Sequence, residues 1–373
     1  MNNMLEFLKT KVSPIGVDIG LNSVKMLQLQ IKGGKVAVVA ADETQINADI
    51  CEDDKIRTDA IVAAIKDMLI RGKFQKKEVV SCLPSSDLII KSLRLDTFDE
   101  KEVEKNLTNV IERSGLKTES HEIRFISAGN IRQGGEVKNE IILFAVDKQS
   151  LGNHINMLER AGVIPVAIDT IPCALFRSLQ RSLRRTADQE KANVFVDIGS
   201  SHTTVIIGKA GEIIFAKQID IAGEQINRQV ASRLGIGLED AVHLRSKLRD
   251  ETESQDIEPA TRQVVIDSMY SVIDELAREI SLCFSYYAVT FRGQRPSQVV
   301  FAGGEAYEET LINAIKRHLG IEIEITEPLR GFDISHVEFP ADKRAMLCEW
   351  AVAAGLCLKG FASADKQETY EGN

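Results

Sequence analysis

The stretch IGVDIGLNSVK at residues 15–25 returns in altered form as VFVDIGSSHTT at residues 194–204. Both carry the same tetrapeptide, as Val17-Asp18-Ile19-Gly20 and as Val196-Asp197-Ile198-Gly199. In each copy an apolar run ends on Asp-Ile-Gly, small polar residues follow, and a second apolar run begins. That order predicts a strand, a tight turn and a second strand, because glycine and short polar residues turn a chain that apolar runs extend. The copies stand nearly half the chain apart, too far for a stacked repeat, so they mark two duplicated half-domains. A strand–Asp–Gly–strand hairpin at the mouth of each half can grip a polyphosphate from two sides. Glycine lets backbone N–H groups come close to phosphate oxygens, and Asp holds Mg²⁺ or its water shell.

Composition narrows the classes around that core idea. With 373 residues, 44% hydrophobic and 27% charged, the chain reads as an ordinary globular protein of about two to four domains. A net charge of −9 argues against a nucleic-acid surface. The local basic patches, residues 181–185 and Lys73 with Lys76 and Lys77, read as solvated faces. Six cysteines (Cys51, Cys82, Cys173, Cys283, Cys348 and Cys357) lie far apart with no Cys-x-x-Cys pair, which excludes a zinc ribbon and suits a reducing compartment. No run approaches the roughly 20 apolar residues that a membrane span needs. Residues 1–11 lack the apolar core of a signal peptide, so the chain is expected to be cytoplasmic. Met4, Leu5, Phe7 and Leu8 form one short amphipathic turn that either touches a membrane or partner or, the favoured reading, packs on the first subdomain.

Along the chain, strands are expected at residues 15–20, 24–30 and 36–41, the last two joined by a Gly33-Gly34 hairpin. A helix at 58–70 and a strand at 78–83 follow. Then the rhythm changes. A strand at 88–95, a helix behind the capping box Thr97-Phe98-Asp99-Glu100, strands at 121–128 and 140–146, and a helix at 148–161 read as a compact inserted module. A strand at 163–168 and a helix at 173–183, opened by Asp169-Thr170-Ile171-Pro172, complete the first half. The second half restarts at residue 193 with three strands, a helix opened by Ala222-Gly223-Glu224, a helix at 238–248 and a long helix from Pro259 to about residue 291. A strand at 298–302, a helix at 307–319, a strand at 321–325, a last helix at 342–358 with Trp350, and a polar tail finish the chain.

The third member of the constellation is Val299-Val300-Phe301-Ala302-Gly303-Gly304-Glu305. Here a buried strand feeds two glycines whose bare backbone lets a flat ring lie against it, and the helix start beyond favours an anion. Hairpin, hairpin and glycine turn, in this order, resemble the actin-like ATPase superfamily, which includes sugar kinases, actin, FtsA and MreB. In that resemblance residues 15–25 and 194–204 are the two phosphate motifs, 168–175 the first connecting helix, 301–307 the adenosine motif and 345–356 the second connecting helix. The small inserted module, the short leader before Gly16 and the stretch IDTIPCAL at 168–175 resemble the PilM family of type IV pilus assembly proteins in particular.

The resemblance implies an α/β fold, actin-like (ribonuclease H-like), of duplicated domains with an inserted FtsA/PilM-type small α/β module. Residues 1–85 would begin subdomain 1A, 86–162 form the inserted module 1C, and 163–192 complete 1A. Residues 193–222 would begin 2A, 223–296 form 2B, 297–340 complete 2A, 341–361 return to 1A as a closing helix, and 362–373 form a loose tail. It implies ATP or ADP with Mg²⁺ as cofactors. Asp18 and Asp197 would hold the metal through water, and Gly20, Asn22, Ser23 and Lys25 would face Gly199, Ser200, Ser201 and Thr203 across the phosphates. Gly223 and Glu224 would cap the ribose, Arg245 would stand in the ribose and base helix, and Gly303, Gly304 and Glu305 would line the adenosine. Relatives show Ala-Glu-x-x-Lys where this chain has Ala241-Val242-His243-Leu244-Arg245, so a carboxylate is lost and an acceptor-free guanidinium gained.

Two residues keep two readings. His202 is either a surface turn residue or a pH-sensitive phosphate contact. Asp169 stands where sugar kinases place a catalytic base, yet an Asp before a helix also serves as an N-cap. The implied partner is the N-terminal cytoplasmic peptide of a PilN-like membrane protein, bound between the first subdomain and the inserted module, within the inner-membrane pilus platform. ATP would act as a conformational switch, with at most slow hydrolysis. The rival readings are a small-molecule kinase or phosphatase of the superfamily and an FtsA-like filament or membrane scaffold.

Overall fold

The structure, a computed structural model, describes residues 10–46, 53–95, 111, 114–133, 135–183, 191–249, 257–293, 295–296, 298–339 and 346–370. The first copy forms β1 (Lys11–Val12), β2 (Ile15–Ile19), β3 (Ser23–Lys32) and β4 (Lys35–Gln45), all paired antiparallel through β3. Gly33 and Gly34 join β3 to β4 at φ 58° and 75°, the left-handed pair that a two-residue hairpin needs. Helix α1 (Asp54–Arg71) starts ahead of its apolar stripe because the Asp53 carboxylate accepts from the Lys55 and Ile56 N–H groups. β5 (Glu78–Cys82) then runs parallel to β2.

The inserted module contains β6 (Ile89–Leu95), β7 (His121–Gln133), β8 (Glu136–Asp147) and α2 (Lys148–Arg160), with sheet order β6-β8-β7. Strands β7 and β8 run well past the expected 121–128 and 140–146, since each pairs with the other through polar residues as far as Gln133 and Glu136. The capping box at Thr97-Phe98-Asp99-Glu100 and the apolar turn at Met4 to Leu8 lie outside the described residues. β9 (Ile164–Asp169) adds parallel to β5, and α3 (Ile171–Leu179) follows. Its N-cap is Thr170, whose Oγ1 accepts from the Cys173 N–H, while Asp169 ends the strand.

The second half repeats the plan with β10 (Asn193–Ile198), β11 (Thr203–Lys209), β12 (Glu212–Ile219), α4 (Gly223–Leu234), α5 (Leu238–Arg249) and α6 (Pro259–Phe291). β13 (Gln298–Ala302), a short turn at Gly304–Tyr307, α7 (Glu309–Leu319), β14 (Glu322–Ile325) and α8 (Ala351–Tyr370) close it. The sheet order β12-β11-β10-β13-β14 reproduces β4-β3-β2-β5-β9, three antiparallel strands followed by two parallel ones. The duplication read from two tetrapeptides is therefore a duplication of topology.

Helices α3 and α8 pack on each other between the two sheets, α8 against β2, β3 and β5 and α3 against β10, β11 and β12. A side chain at Gly355 of α8 would place its Cβ 1.9 Å from the Ala174 carbonyl oxygen of α3, so the two helices touch backbone to backbone. The last helix begins later than the expected residue 342: Leu347 stands at φ 54°, a left-handed backbone that no α-helix contains. It also continues to Tyr370, through the stretch expected to be a loose tail from residue 362.

Candidate functional site

The β2–β3 and β10–β11 turns face each other across a cleft of about 780 Å³. Both turns are built alike. The Gly20 N–H donates to the Ser23 carbonyl at 2.9 Å, and the Gly199 N–H to the His202 carbonyl at 3.1 Å. Asp18, Gly20, Asn22, Ser23 and Lys25 line one wall, and Asp197, Gly199, Ser200 and Ser201 the other, with Gly303 and Gly304 beside them. Gly303 has φ 90°, and a Cβ there would lie 2.7 Å from the Asp197 Oδ1, so only glycine lets the turn pass this close to the carboxylate. Lys25 Nζ donates to Ser23 Oγ at 2.7 Å and pairs with Glu43 at 3.1 Å.

The cleft floor is short of positive charge. Burial pushes the Asp18 carboxyl up to about 6, against the opposing pull of Lys25. Burial, with the neighbouring Asp18 charge added, pushes Asp197 up to about 7. Two carboxylates raised by desolvation, the second also by the charge of the first, make a site that gains from a cation. Among the described residues no three His, Cys, Asp or Glu side chains cluster as a metal cage. The pair therefore suits an ion that keeps much of its water, as Mg²⁺ does, with donors from Lys25 and the serines for the anion it carries. The residues fit a magnesium-phosphate group.

One predicted donor does not reach the cleft. Thr203 is fully buried and its Oγ1 donates to the Ile221 carbonyl at 2.7 Å, while its neighbour Thr204 lines the cleft. Pairing register explains this. Thr204 lies opposite Asp197 as Lys25 lies opposite Asp18, and one step along a strand turns a side chain to the other face. The offset from Asp18 to Lys25, applied to Asp197, points to Thr204 and was legible in the sequence.

The predicted nucleoside end is arranged differently from the phosphate end. Gly223, Glu224, Arg245 and Glu305 do not line this cleft. Glu224 pairs with Arg228 one turn along α4, at 2.5 Å. Burial pushes the Glu305 carboxyl up, but Arg245 and Arg249 outweigh it and hold the group at about 2. Asp169 is likewise away from the cleft. It accepts from Arg177 at 3.0 Å and pairs with Lys359 at 3.1 Å, which makes it a strut between β9, α3 and α8. His202 stays in the second turn, 3.0 Å from Ser201 Oγ and 3.5 Å from Asp220.

Three residues in the cleft wall carried no motif. Arg57 of α1 donates to the Gly20 and Leu21 carbonyls at 2.7 and 2.8 Å and so holds the first turn in place. Glu349 accepts from the Tyr307 hydroxyl at 2.5 Å, just before α8. His154 of α2 is buried, lies 3.2 Å from Ser81 Oγ, and is pushed down by burial to about 4, so it is neutral near pH 7. Beyond the phosphate motifs the cleft continues between α1, the turn at Ser85–Asp87 and the polar face of α2, past Ser150, Asn153 and Arg160. Among the described residues no helix is long and apolar enough to cross a membrane.

The fold is similar to that of the PilM-PilN type IV pilus biogenesis complex, with a TM-score of 0.77 and 18% identity over 93% of this chain and 98% of that one. It is also similar to the ethanolamine utilization protein EutJ from Carboxydothermus hydrogenoformans, with a TM-score of 0.53 and 13% identity over 94% of this chain and 90% of that one. In sequence the chain is 23% identical over 242 residues to the cell division protein FtsA of Staphylococcus epidermidis. That match covers 59% of this chain and 51% of FtsA, so the chain spans about half the length of this curated relative. The sequence pattern of the family described as type IV pilus assembly protein PilM matches residues 16–361. On a fold whose two halves each carry the Asp-bearing hairpin, that match spans both hairpins, the inserted module and the helices that join them, and the chain belongs to the PilM family of type IV pilus assembly proteins.

Proposed function

We propose that this chain is the actin-like, nucleotide-binding component of the type IV pilus inner-membrane platform, cytoplasmic and held at the membrane through its partners. The observation that carries the reading is the facing pair of hairpins, with Asp18 and Asp197 both raised by burial at the floor of one cleft. In this reading Asp18 and Asp197 hold Mg²⁺ through its waters. Asn22, Ser23, Lys25, Ser200, Ser201 and Thr204 donate to phosphate oxygens, and Gly20, Gly199, Gly303 and Gly304 keep the backbone close. Bound Mg²⁺-ATP supplies a γ-phosphate whose presence distinguishes one state of the cleft from another. The chain's own residues orient that group and exclude water.

Turnover is expected to be slow. Asp169, the one candidate base, is tied to Arg177 and Lys359, and Glu349 is engaged by Tyr307. The same bonds weigh against the kinase reading, which needs a free base at Asp169.

The partner in this reading is the N-terminal cytoplasmic peptide of a PilN-like membrane protein, and residues 86–162 serve as its binding unit. In this reading the peptide lies in the cleft extension between α1 and α2, where Ile61 and Met157 give apolar contact beside the polar Ser150 and Asn153. The test joins both ligands. Thermal melts with Mg²⁺-ATP or Mg²⁺-ADP should rise, by about 2.7 kcal/mol of stability at ~100 times the dissociation constant. Calorimetric titration with the peptide should give a 1:1 isotherm that Asn153→Trp, at an exposed position on the groove wall, weakens at least about tenfold without lowering the melting temperature. Flat melts at millimolar nucleotide would sink the nucleotide half. Unchanged peptide affinity in the Trp variant would sink the groove.

A further inference from the structure

A second hollow, of about 1200 Å³, lies on the second half between α6 and α7. Residues four apart stand on one face of a helix, so Ile266 and Tyr270 of α6 form one wall and Asn313 and Arg317 of α7 the other, above the buried Leu319 and Ile321. Helix α6 leads into β13 and α7 into β14, as α1 leads into β5 and α2 into β9. The groove is therefore the second half's counterpart of the one between α1 and α2.

Two arginines line it, and the bonds of both go to neutral oxygens. Arg295 Nη2 donates to Ser281 Oγ at 3.2 Å. Arg317 donates through Nε to the Asn313 carbonyl at 3.3 Å and through Nη2 to the Tyr270 hydroxyl at 3.4 Å, with its guanidinium 5.9 Å from the Tyr270 ring centre. These bonds stand at or beyond the long end of the usual range. By contrast Arg71, Arg160 and Arg177 hold carboxylates at 2.6, 2.6 and 3.0 Å. Of the two acids that line the groove, Glu322 is taken by Lys316 at 2.7 Å. Glu309 stands two turns before Arg317, roughly 12 Å along α7.

A guanidinium fork is matched by a carboxylate, which it binds through two parallel hydrogen bonds. Two such forks over an apolar floor complement a chain segment that mixes acidic and apolar side chains. The volume exceeds the roughly 300–1,000 Å³ of small-molecule pockets. A long polyanion is repelled, because the whole chain carries a net charge of −9 that two forks do not offset. A short acidic segment meets mainly the local field, since charges beyond a Debye length are screened.

We propose that the α6–α7 groove docks an acidic, partly apolar peptide segment of a partner protein, with Arg295 and Arg317 as its carboxylate anchors. Leu319, Ile321 and the Tyr270 ring receive its apolar side chains. The inference stands on this groove alone and does not need the nucleotide reading or the groove of the first half.

Fluorescence anisotropy of the full chain with the labelled heptapeptides EELFEEL and QQLFQQL tests it. The acidic peptide should bind at least about tenfold more tightly than the neutral one. Arg295→Gln and Arg317→Gln should each weaken it about tenfold, at exposed positions where melting curves report an unchanged fold. Asn153→Trp, in the groove of the first half, should leave this affinity as it is. Equal affinity for the two peptides, no binding of either, or acidic-peptide affinity unmoved in both Gln variants would overturn the proposal. So would loss of binding in Asn153→Trp, which would put the peptide in the first groove. Sedimentation with phosphatidylglycerol vesicles that depends on Arg295 and Arg317, in a protein that takes up no acidic peptide, would overturn it too, as the mark of a lipid headgroup site.

Discussion

At the residue scale, the cleft is defined by two carboxylates held in their less comfortable charge state. Burial raises Asp18 to about 6 and Asp197 to about 7, against an ordinary value of 3.8. Between these values the folded chain keeps protons that the unfolded chain has released, so it gains stability as pH falls from about 7 towards 4 and loses it as pH rises through 6 to 7. Asp197→Asn removes that penalty. Without Mg²⁺ at pH 8 it should be more stable than the parent by about 1–2 kcal/mol, because a pKa unit is worth about 1.4 kcal/mol and the cleft floor stays partly solvated. At pH 5 the difference should shrink, and the melting shift that Mg²⁺-nucleotide gives the parent should be lost. Coincident melts of the two proteins across this pH range would show that the carboxylates are not strained. The pair was legible in the sequence because a tetrapeptide repeated. Thr204 was legible only through strand register, and Arg57 and Glu349 were not, because they reach the cleft from α1 and from the turn before α8 with no local pattern.

At the element scale, what could be read was what local chemistry decides. The Gly33-Gly34 hairpin, the Pro259 helix start and the strand starting at Asn193 follow from residues in contact with their own neighbours. The lengths of β7 and β8 and the late start of α8 do not, since they depend on a partner strand or on a single left-handed residue, Leu347. Glycine shows the difference. Gly152 and Gly355 both sit inside helices, where propensity alone gives the two glycines the same cost. A Cβ at Gly152 meets nothing within 4 Å, whereas at Gly355 it runs into the Ala174 backbone at 1.9 Å. Gly152→Ala should therefore stabilise the chain by roughly 0.5–1 kcal/mol. Gly355→Ala must push α3 and α8 apart and should cost about 2–4 kcal/mol. Thermal melts of the two variants check the pair, and a Gly355→Ala protein as stable as its parent would mean that the two helices are not in backbone contact.

At the scale of the whole molecule, the inserted module is a bridge between the halves. Its helix α2 packs on α1 and β9 of the first half, while its sheet lies against β12 and α6 of the second. Ile142, Phe144 and Val146 of β8 share one core with Leu175 and Phe176 of α3 and with Phe195, Ile206 and Ala216 of the second sheet. Removing residues 86–162 would open that core, so the module's part in partner binding has to be tested by point substitutions. A polar tie crosses the same contact. Glu140, only 1% exposed, pairs with Arg94 at 3.0 Å within the module and accepts from the Tyr286 hydroxyl of α6 at 2.5 Å. The Tyr286 ring packs on Phe215 with centroids 5.2 Å apart. A hydrogen bond to a buried carboxylate is worth more than a neutral one, so Tyr286→Phe, which keeps the ring and removes only the hydroxyl, should cost about 1–3 kcal/mol. Because the tie joins the module to α6 and not to the first half, amide exchange in β7 and β8 should quicken in this variant while exchange in β14 stays unchanged. Equal quickening everywhere would mean a uniform loss of stability, and exchange like the parent's would mean that the ring packing alone holds the bridge.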